Sequence, residues 1–143
     1  ETGAWPSVRL SDGTERASVL VLAGVGVTPR AELAVQAGLE LQSGRVVVDE
    51  SMRTAIPGLF AAGDVAMAHH ASAGRHLTVE HWGEAERMGE IAGTVAAGGE
   101  AKWEDPPGFW STIGDHTLKY TAWGDGFDEA TPVEHDNGGL TIW

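Results

Sequence analysis

A short apolar run that ends in Gly-Asp constrains the fold of this chain more than any other feature. Pro57 and Gly58 predict a turn. Residues 59–62 (Leu-Phe-Ala-Ala) then have the length and composition of a strand that is buried on both faces, as in the parallel sheets of α/β proteins. Gly63 and Asp64 follow at the carboxyl end of this strand, which is the edge where open α/β sheets bind ligands. The run therefore predicts an α/β fold with a candidate ligand site at the Gly-Asp pair.

The two residues of this pair suit a ligand for different chemical reasons. Gly63 has no side chain, so a ligand can approach its backbone closely. The carboxylate of Asp64 only accepts hydrogen bonds, and so it suits a pair of ligand hydroxyl groups. A Gly-Asp pair after a strand is also a common turn, in which the aspartate serves only the local backbone. The dipeptide alone leaves both interpretations open.

The residues that precede this run predict a hairpin and a short helix. Residues 7–10 and 17–23 are strand-like, and the Asp-Gly pair between them is the strongest short-range hairpin signal. Residues 24–29 (Gly-Val-Gly-Val-Thr-Pro) begin like a dinucleotide-binding fingerprint but fail it, because Pro29 occupies the third glycine position. The proline instead predicts the start of a helix over residues 31–36.

Three histidines follow in the middle of the chain. Residues 46–48 (Val-Val-Val) predict a strand, and residues 66–77 have the composition of a small-residue loop that carries His69, His70 and His76. A metal site is one hypothesis for these side chains. Against it, the chain has no cysteine, and two of the histidines are adjacent rather than on one helical face.

One long helix is predicted over residues 78–97, with Thr78 as its N-cap. Apolar and small side chains recur at three- and four-residue steps and predict a buried face; they are Trp82, Ala85, Met88, Gly89, Ala92 and Val95. Because the start of this helix follows the Gly-Asp turn closely, its free N–H groups are predicted to face the same ligand.

The character of the chain changes after Glu100. Residues 101–107 include a Pro-Pro pair and predict a linker between domains. Strand-like runs, separated by turn signals, follow at residues 109–112, 116–123 and 140–143. The last run stops in mid-strand, which leads us to expect a truncated sequence.

Charge and composition exclude several functions. Nine lysines and arginines against 21 aspartates and glutamates give a net charge of −12, which leaves no basic face for nucleic acid or for an anionic membrane surface. No apolar run approaches the roughly 20 residues of a membrane span. Without cysteine, these residues hold no disulfide or thiolate site, and we expect a cytoplasmic location.

Longer motifs connect these features to a known group of proteins. Arg53-Thr54, Pro57 and residues 59–64, with residues 44–49 before them, resemble the second flavin-binding motif of FAD-dependent pyridine-nucleotide oxidoreductases. The resemblance implies that Asp64 holds the ribityl chain of FAD. It also implies that the chain forms part of the FAD/NAD(P)-binding doubly wound α/β fold.

A second set of motifs narrows the resemblance. Residues 80–82 (Glu-His-Trp), Pro107 and residues 109–111 (Phe-Trp-Ser) resemble the C-terminal part of the rubredoxin/ferredoxin-reductase type, which includes the apoptosis-inducing-factor flavoproteins. Thr78, Met88 and Thr112 depart from the residues that many members carry at these places. The resemblance covers residues 7–123, which match only the C-terminal portion of a complete member.

The resemblance implies a domain division and a set of site residues. Residues 1–101 would end the NAD(P)-binding domain and form the second half of the FAD-binding domain, and residues 102–143 would begin a truncated small α+β C-terminal domain. The implied cofactor-binding residues are Gly63, Asp64, Val65, Glu80, His81, Trp82 and Trp110. From the residues themselves, Trp82 and Trp110 also suit core anchors, and His81 also suits a helix start without a ligand.

The resemblance further implies a flavoprotein that passes electrons from NAD(P)H through FAD to an iron–sulfur carrier of the ferredoxin type. No Gly-rich phosphate-binding fingerprint is present in residues 1–143, so we expect the chain on its own to be inactive. We also expect it to self-associate, because the apolar faces that meet the rest of a complete member would be exposed. The alternative is a non-catalytic interaction or dimerisation module that uses the same fold.

Overall fold

A small mixed sheet and one long helix form the core of the protein. The computed structural model describes residues 7–143, so residues 1–6 of the predicted first domain lie outside the described residues. In chain order the elements are β1 (Ser7–Arg9), β2 (Glu15–Ala17), α1 (Glu32–Gln36), β3 (Leu41–Gln42), β4 (Arg45–Val48), a 3₁₀ turn (Gly63–Val65), β5 (Ala66–His70), β6 (Arg75–Leu77), α2 (Trp82–Ala96), β7 (Gly108–Ile113), β8 (His116–Thr121), β9 (Pro132–Glu134) and β10 (Leu140–Ile142).

The central sheet has the strand order β3-β4-β5-β6. β4 and β5 are parallel, with Val46 opposite Ala66 and Val48 opposite Ala68, whereas the outer pairs are antiparallel. These four side chains are buried on one face of the sheet. Strand residues point alternately to the two faces, so this period of two gives the sheet one apolar face. An α/β architecture follows, as the sequence predicts.

Helix α2 supplies the second set of apolar side chains in the core, beside those of the central sheet. Met88, Ile91 and Val95 are buried and lie three and four residues apart, which is the spacing of one helical face. The predicted start at Thr78 is wrong, because β6 continues to Leu77 and the helix begins only after His81, the N-cap. Trp82 is 85% exposed and does not belong to the buried face. It lies six residues before Met88, which is about 120° away around a helix of 3.6 residues per turn.

Two of the predicted strands are wrong. Residues 59–62 form no strand beyond an isolated bridge between Arg53 and Phe60, and the strand parallel to β4 is the following β5. The backbone at 59–62 is engaged locally instead, since Ala61 N–H donates to the carbonyl of Met52 at 3.2 Å. The second predicted strand, 17–23, is shorter and earlier, because β2 ends at Ala17, where its pairing with β1 ends.

The predicted loop at 66–77 is also wrong. It is an antiparallel hairpin of β5 and β6, in which His69 lies opposite His76 and His70 opposite Arg75. Gly74 has a φ of +65° in the connection between the strands. Small residues and histidines carry little strand signal, and they conceal the alternation of buried and half-buried positions along β5.

The predicted linker packs closely against the central sheet. Trp103 is 1% exposed, its backbone N–H donates to the carbonyl of Glu50 at 2.8 Å, and its carbonyl accepts from Ala71 at 2.9 Å. The indole Nε1–H donates to the carboxylate of Glu84 on α2 at 2.9 Å. The domain boundary near residue 101 remains a prediction.

The later residues form two antiparallel hairpins, β7-β8 and β9-β10, close to the predicted strand-like runs. Within the part of the chain that the structure describes, no helix is both long and apolar enough to cross a membrane.

Candidate functional site

The Gly63–Val65 turn lies directly against the first turn of α2. Gly63 has a φ of +75°, in the left-handed region that side chains disfavour. A Cβ atom added there would lie 3.2 Å from Cβ of Ala85. Glycine is therefore favoured at this position both for its backbone conformation and for the close approach to α2, and it brings Asp64 beside the start of the helix.

The carboxylate of Asp64 has no hydrogen-bond or ion-pair partner within residues 7–143. The backbone carbonyl of Asp64 accepts a hydrogen bond from Arg45, but its side-chain oxygens take part in none of the hydrogen bonds or ion pairs found among the described residues. Aspartates that serve turns behave differently in this chain. Asp49 accepts from Ser51 N–H at 2.9 Å, and Asp12 accepts from Thr14 N–H at 2.9 Å, a bond that lowers the pKa of Asp12. Local turn geometry therefore does not account for the Asp64 side chain.

The N-terminus of α2 is open to a ligand. The first hydrogen bond within the helix is donated by Ala85 N–H to the carbonyl of His81 at 2.9 Å, and no side chain caps this end. The N–H groups of Trp82, Gly83 and Glu84 precede that bond and have no partner within the helix. Their direction and the helix dipole favour electronegative ligand atoms.

His81 adds a polar atom that the protein does not satisfy. Its ring packs edge-on against Phe109 at 4.7 Å between ring centroids, and its Nδ1 is buried without a hydrogen-bond partner among the described residues. An unpartnered buried polar atom costs about 1–3 kcal/mol, which a bound ligand can offset. Phe109 was missed in the sequence, where Trp110 in the next position attracted the prediction.

Arg45 is the second residue that the sequence analysis missed. Its Nε donates to the carbonyl of Asp64 at 3.0 Å, and its guanidinium forms an ion pair with Glu80. The Arg45 side chain is only 15% exposed, although it stands at the start of a strand. A largely buried arginine needs partners, and here one of them, Glu80, is 35 residues away, so no local sequence signal identifies it.

The two tryptophans of the predicted site are exposed, and neither anchors the core. Trp82 is 85% exposed and Trp110 is 72% exposed. Successive strand residues point to opposite faces, so Trp110 lies on the face of β7 opposite to that of Phe109, paired with Lys119 on β8. The structure thus brings together Gly63, Asp64, Glu80 and His81, with Val65 half-buried in the same turn. The contacts of Trp110 with this group remain a prediction.

The histidines of β5 and β6 do not form a metal centre. His70 is fully buried and bonded at both ring nitrogens, and the rings of His69 and His76 lie edge to face at 5.3 Å. Across residues 7–143, no three histidine, aspartate or glutamate side chains come together in an arrangement that could hold a metal ion.

Comparison with known proteins gives a consistent picture. Residues 3–89 match the family model described as pyridine nucleotide-disulphide oxidoreductase. The ferredoxin–NAD(+) reductase component of the anthranilate 1,2-dioxygenase system of Burkholderia cepacia is 37% identical over 117 residues, which are 82% of this chain and 28% of the relative. Putidaredoxin reductase of Pseudomonas putida is 33% identical over 122 residues, 85% of this chain and 29% of the relative.

Solved structures resemble the chain in the same way. The ferredoxin reductase for the CYP199A2 system of Rhodopseudomonas palustris superposes with a TM-score of 0.79 at 32% identity, over 88% of this chain and 31% of that one. The reductase–putidaredoxin complex gives 0.80 at 28% identity, over 92% and 32%. These likenesses confirm the predicted fold class. The chain spans less than a third of the length of each of these proteins.

Proposed function

We propose that this chain, which belongs to the pyridine nucleotide-disulphide oxidoreductase family, supplies the ribityl and flavin-ring side of an FAD site. The site would serve an enzyme that passes electrons from NAD(P)H to an iron–sulfur carrier of the ferredoxin type. The observation that carries this proposal is the unused carboxylate of Asp64, held beside the uncapped N-terminus of α2. The small C-terminal domain predicted from residue 102 onward belongs to the same proposal.

The residues that are present fit the flavin half of FAD. Asp64 supplies an acceptor-only carboxylate for ribityl hydroxyl groups. The N–H groups at the start of α2 suit carbonyl oxygens on the ring, and His81 supplies the polar atom that lacks a partner in the described residues. When bound, FAD supplies the two-electron exchange with NAD(P)H and the one-electron donation to a carrier protein.

The chain's own contribution to this chemistry is orientation and electrostatics. A helix N-terminus carries about half a positive charge, and it stabilises a nearby negative charge by about 0.3–1 kcal/mol at exposed sites and up to ~2 kcal/mol in partly buried ones. Negative charge that develops on the ligand edge facing α2 is therefore stabilised. We also propose that Trp82 and Trp110, both exposed, contribute apolar surface near the ring.

The proposed carrier partner is supported by the relatives rather than by a surface of this chain. One relative is named as a ferredoxin–NAD(+) reductase component, and one similar structure is a putidaredoxin reductase bound to putidaredoxin. For this protein, an iron–sulfur carrier is the partner class that agrees with both.

The test is a titration of the ¹⁵N-labelled 143-residue chain with riboflavin 5′-phosphate, which carries the flavin ring and the ribityl chain. We expect weak binding of about −4 to −6 kcal/mol, which corresponds to a Kd between about 1 mM and tens of micromolar. Amide shifts should concentrate at Gly63–Val65 and at residues 82–84. Asp64→Ala should raise the Kd roughly tenfold or more, because a hydrogen bond to a charged group contributes about 1.5–3 kcal/mol.

The control is Asp136→Ala, which removes an exposed carboxylate outside the site and should leave the Kd unchanged. Shifts that are scattered over the surface, or an Asp64→Ala variant that binds as well as the original, would contradict the proposal and assign Asp64 to the turn alone.

An interaction module is the second candidate, and one observation favours it. Apolar side chains between β2 and α1 are more than half exposed; they are Val19, Leu20, Val21, Leu22, Val25 and Val27. Exposed apolar surface of this kind promotes association. This candidate predicts association that depends on concentration, together with a flavin titration that Asp64→Ala does not alter.

A further inference from the structure

One arginine connects three segments that are far apart in the sequence. Arg45 begins β4, Asp64 lies in the turn before β5, and Glu80 lies just before α2. The Nε of Arg45 donates to the Asp64 carbonyl at 3.0 Å, and a terminal nitrogen pairs with the Glu80 carboxylate. The arginine side chain is 15% exposed and that of Glu80 is 40% exposed, so water competes less for the bond to the Asp64 carbonyl than for the ion pair.

The geometry of a guanidinium group gives this arrangement a specific consequence. Its N–H groups are fixed in one plane at set angles, so two acceptors that bond to it are held at a fixed separation. Here the two acceptors belong to the Gly63–Val65 turn and to the approach to α2. A lysine has one ammonium group on a flexible stem and cannot hold both acceptors with the same geometry.

We propose that Arg45 is a positioning residue for the cofactor site, and this inference rests on the proposed function. Among the described residues, Arg45 forms no hydrogen bond or ion pair with the carboxylate of Asp64 and none with the first N–H groups of α2. It bonds to the backbone of Asp64 and to the residue before the N-cap of α2. It thereby holds the Asp64 carboxylate, the proposed acceptor for the ribityl hydroxyl groups, at a fixed position relative to the N-terminus of α2, so that one flavin can bind to both.

A merely structural role would affect folding but not the coupling between binding groups. The experiment therefore measures riboflavin 5′-phosphate Kd by the same amide titration for Arg45→Met, Asp64→Ala and the double variant. We expect each single change to raise the Kd roughly tenfold, the equivalent of about 1.4 kcal/mol. Because Asp64 depends on Arg45 for its placement, the double variant should be about as weak as the weaker single variant rather than a hundredfold weaker.

Two further variants sharpen the result. Arg45→Lys keeps the charge but not the planar geometry. On a logarithmic scale its Kd should lie closer to that of Arg45→Met than to that of the unmodified chain. Arg75→Met is the matched control, because Arg75 also pairs with a carboxylate, that of Asp125, but lies at the end of the β5–β6 hairpin away from the Gly63–Val65 turn, and its side chain is 44% exposed. Its Kd should be unchanged.

The outcomes separate the two proposals. If the unmodified chain shows no shifts at Gly63–Val65 and residues 82–84, the proposed function fails and the role of Arg45 fails with it. If the unmodified chain binds but Arg45→Met leaves the Kd unchanged, or if the double variant is additive, only the positioning role is overturned. Should Arg45→Met not fold, Glu80→Gln breaks the same ion pair at a side chain that is 40% exposed, and it should raise the Kd about threefold or more.

Discussion

Replacing Gly63 with alanine should destabilise the protein more than the same change at either of two comparison glycines, Gly74 and Gly89. At a φ of +75°, the left-handed backbone costs alanine about 1–2 kcal/mol, which the lower entropy of the unfolded chain offsets by about 0.4–1 kcal/mol. The new Cβ would also lie 3.2 Å from Cβ of Ala85, so the turn or α2 must shift by a few tenths of an ångström. Overpacking of this kind costs about 1–3 kcal/mol. The expected total is about 1.5–4 kcal/mol, from the net backbone cost of about 0.5–1 kcal/mol and the packing cost together.

The two comparison glycines separate these contributions. Gly74 has a φ of +65° but no atom within 4 Å of an added Cβ, so Gly74→Ala carries the backbone cost alone, about 0.5–1 kcal/mol. Gly89 lies within α2 with open space around it, so Gly89→Ala should stabilise the protein by about 0.5–1 kcal/mol through helix propensity. Gly89→Ala should therefore be the most stable of the three variants, Gly74→Ala the next and Gly63→Ala the least stable.

The assay is equilibrium unfolding in urea, followed by tryptophan fluorescence, with the free energy of unfolding taken from the midpoint and the slope. Trp103 is buried and reports on the core. A Gly63→Ala variant no less stable than Gly74→Ala would refute the close approach between the turn and α2. In that case the turn is free to move, and packing against α2 does not hold the proposed flavin site.

Two predictions concern the rest of the molecule. The ring of His70 accepts a hydrogen bond from Ala73 N–H at 3.2 Å and bonds to the Asp105 carbonyl at 2.9 Å. His70→Phe should therefore lower the free energy of unfolding by about 1–3 kcal/mol. The control, His76→Phe at an exposed position, should change it by less than about 0.5 kcal/mol. Equal effects on urea unfolding would contradict this. The chain on its own should neither retain FAD on gel filtration nor oxidise NADH, because residues 1–143 contain no Gly-rich phosphate-binding turn; one flavin per chain in the protein peak, or turnover above a free-flavin blank, would overturn it.

The Gly63–Val65 turn and the approximate start of α2 could be predicted from the sequence because their signals are local. Gly63 and Asp64 predict a turn with an acceptor, and His81 lies near a helix start, which the periodicity of α2 locates to within four residues. The sequence also predicts that the turn and the helix terminus lie close together, because the helix follows the turn closely along the chain. The structure adds the contact of Gly63 with Ala85, which no sequence pattern specifies.

The β5–β6 hairpin and the Arg45–Glu80 ion pair could not be predicted because their causes are distant in the sequence. Residues 59–62 have a strand-like composition, but the position beside β4 is taken by β5, whose His70 is satisfied by a carbonyl 35 residues away. Likewise, Arg45 is 35 residues from Glu80, and a largely buried arginine is recognisable only once its partners are known. Strand choice within a sheet is decided by such long-range pairing, and local propensity is a weak guide to it.

The contacts around the turn determine which part of a ligand this chain can recognise. Gly63 packs on α2, and Arg45 bonds to both the turn and Glu80, so the acceptor and the helix terminus keep their relative positions before a ligand arrives. A preorganised pair loses less conformational entropy on binding, so it raises affinity and also fixes the orientation of the ligand. The sequence of residues 1–143 contains no Gly-rich motif of the kind that forms a phosphate cradle for the rest of FAD. The chain should therefore discriminate strongly among rings and polyol chains while being nearly indifferent to the adenine end, so that riboflavin 5′-phosphate and FAD bind it with similar Kd.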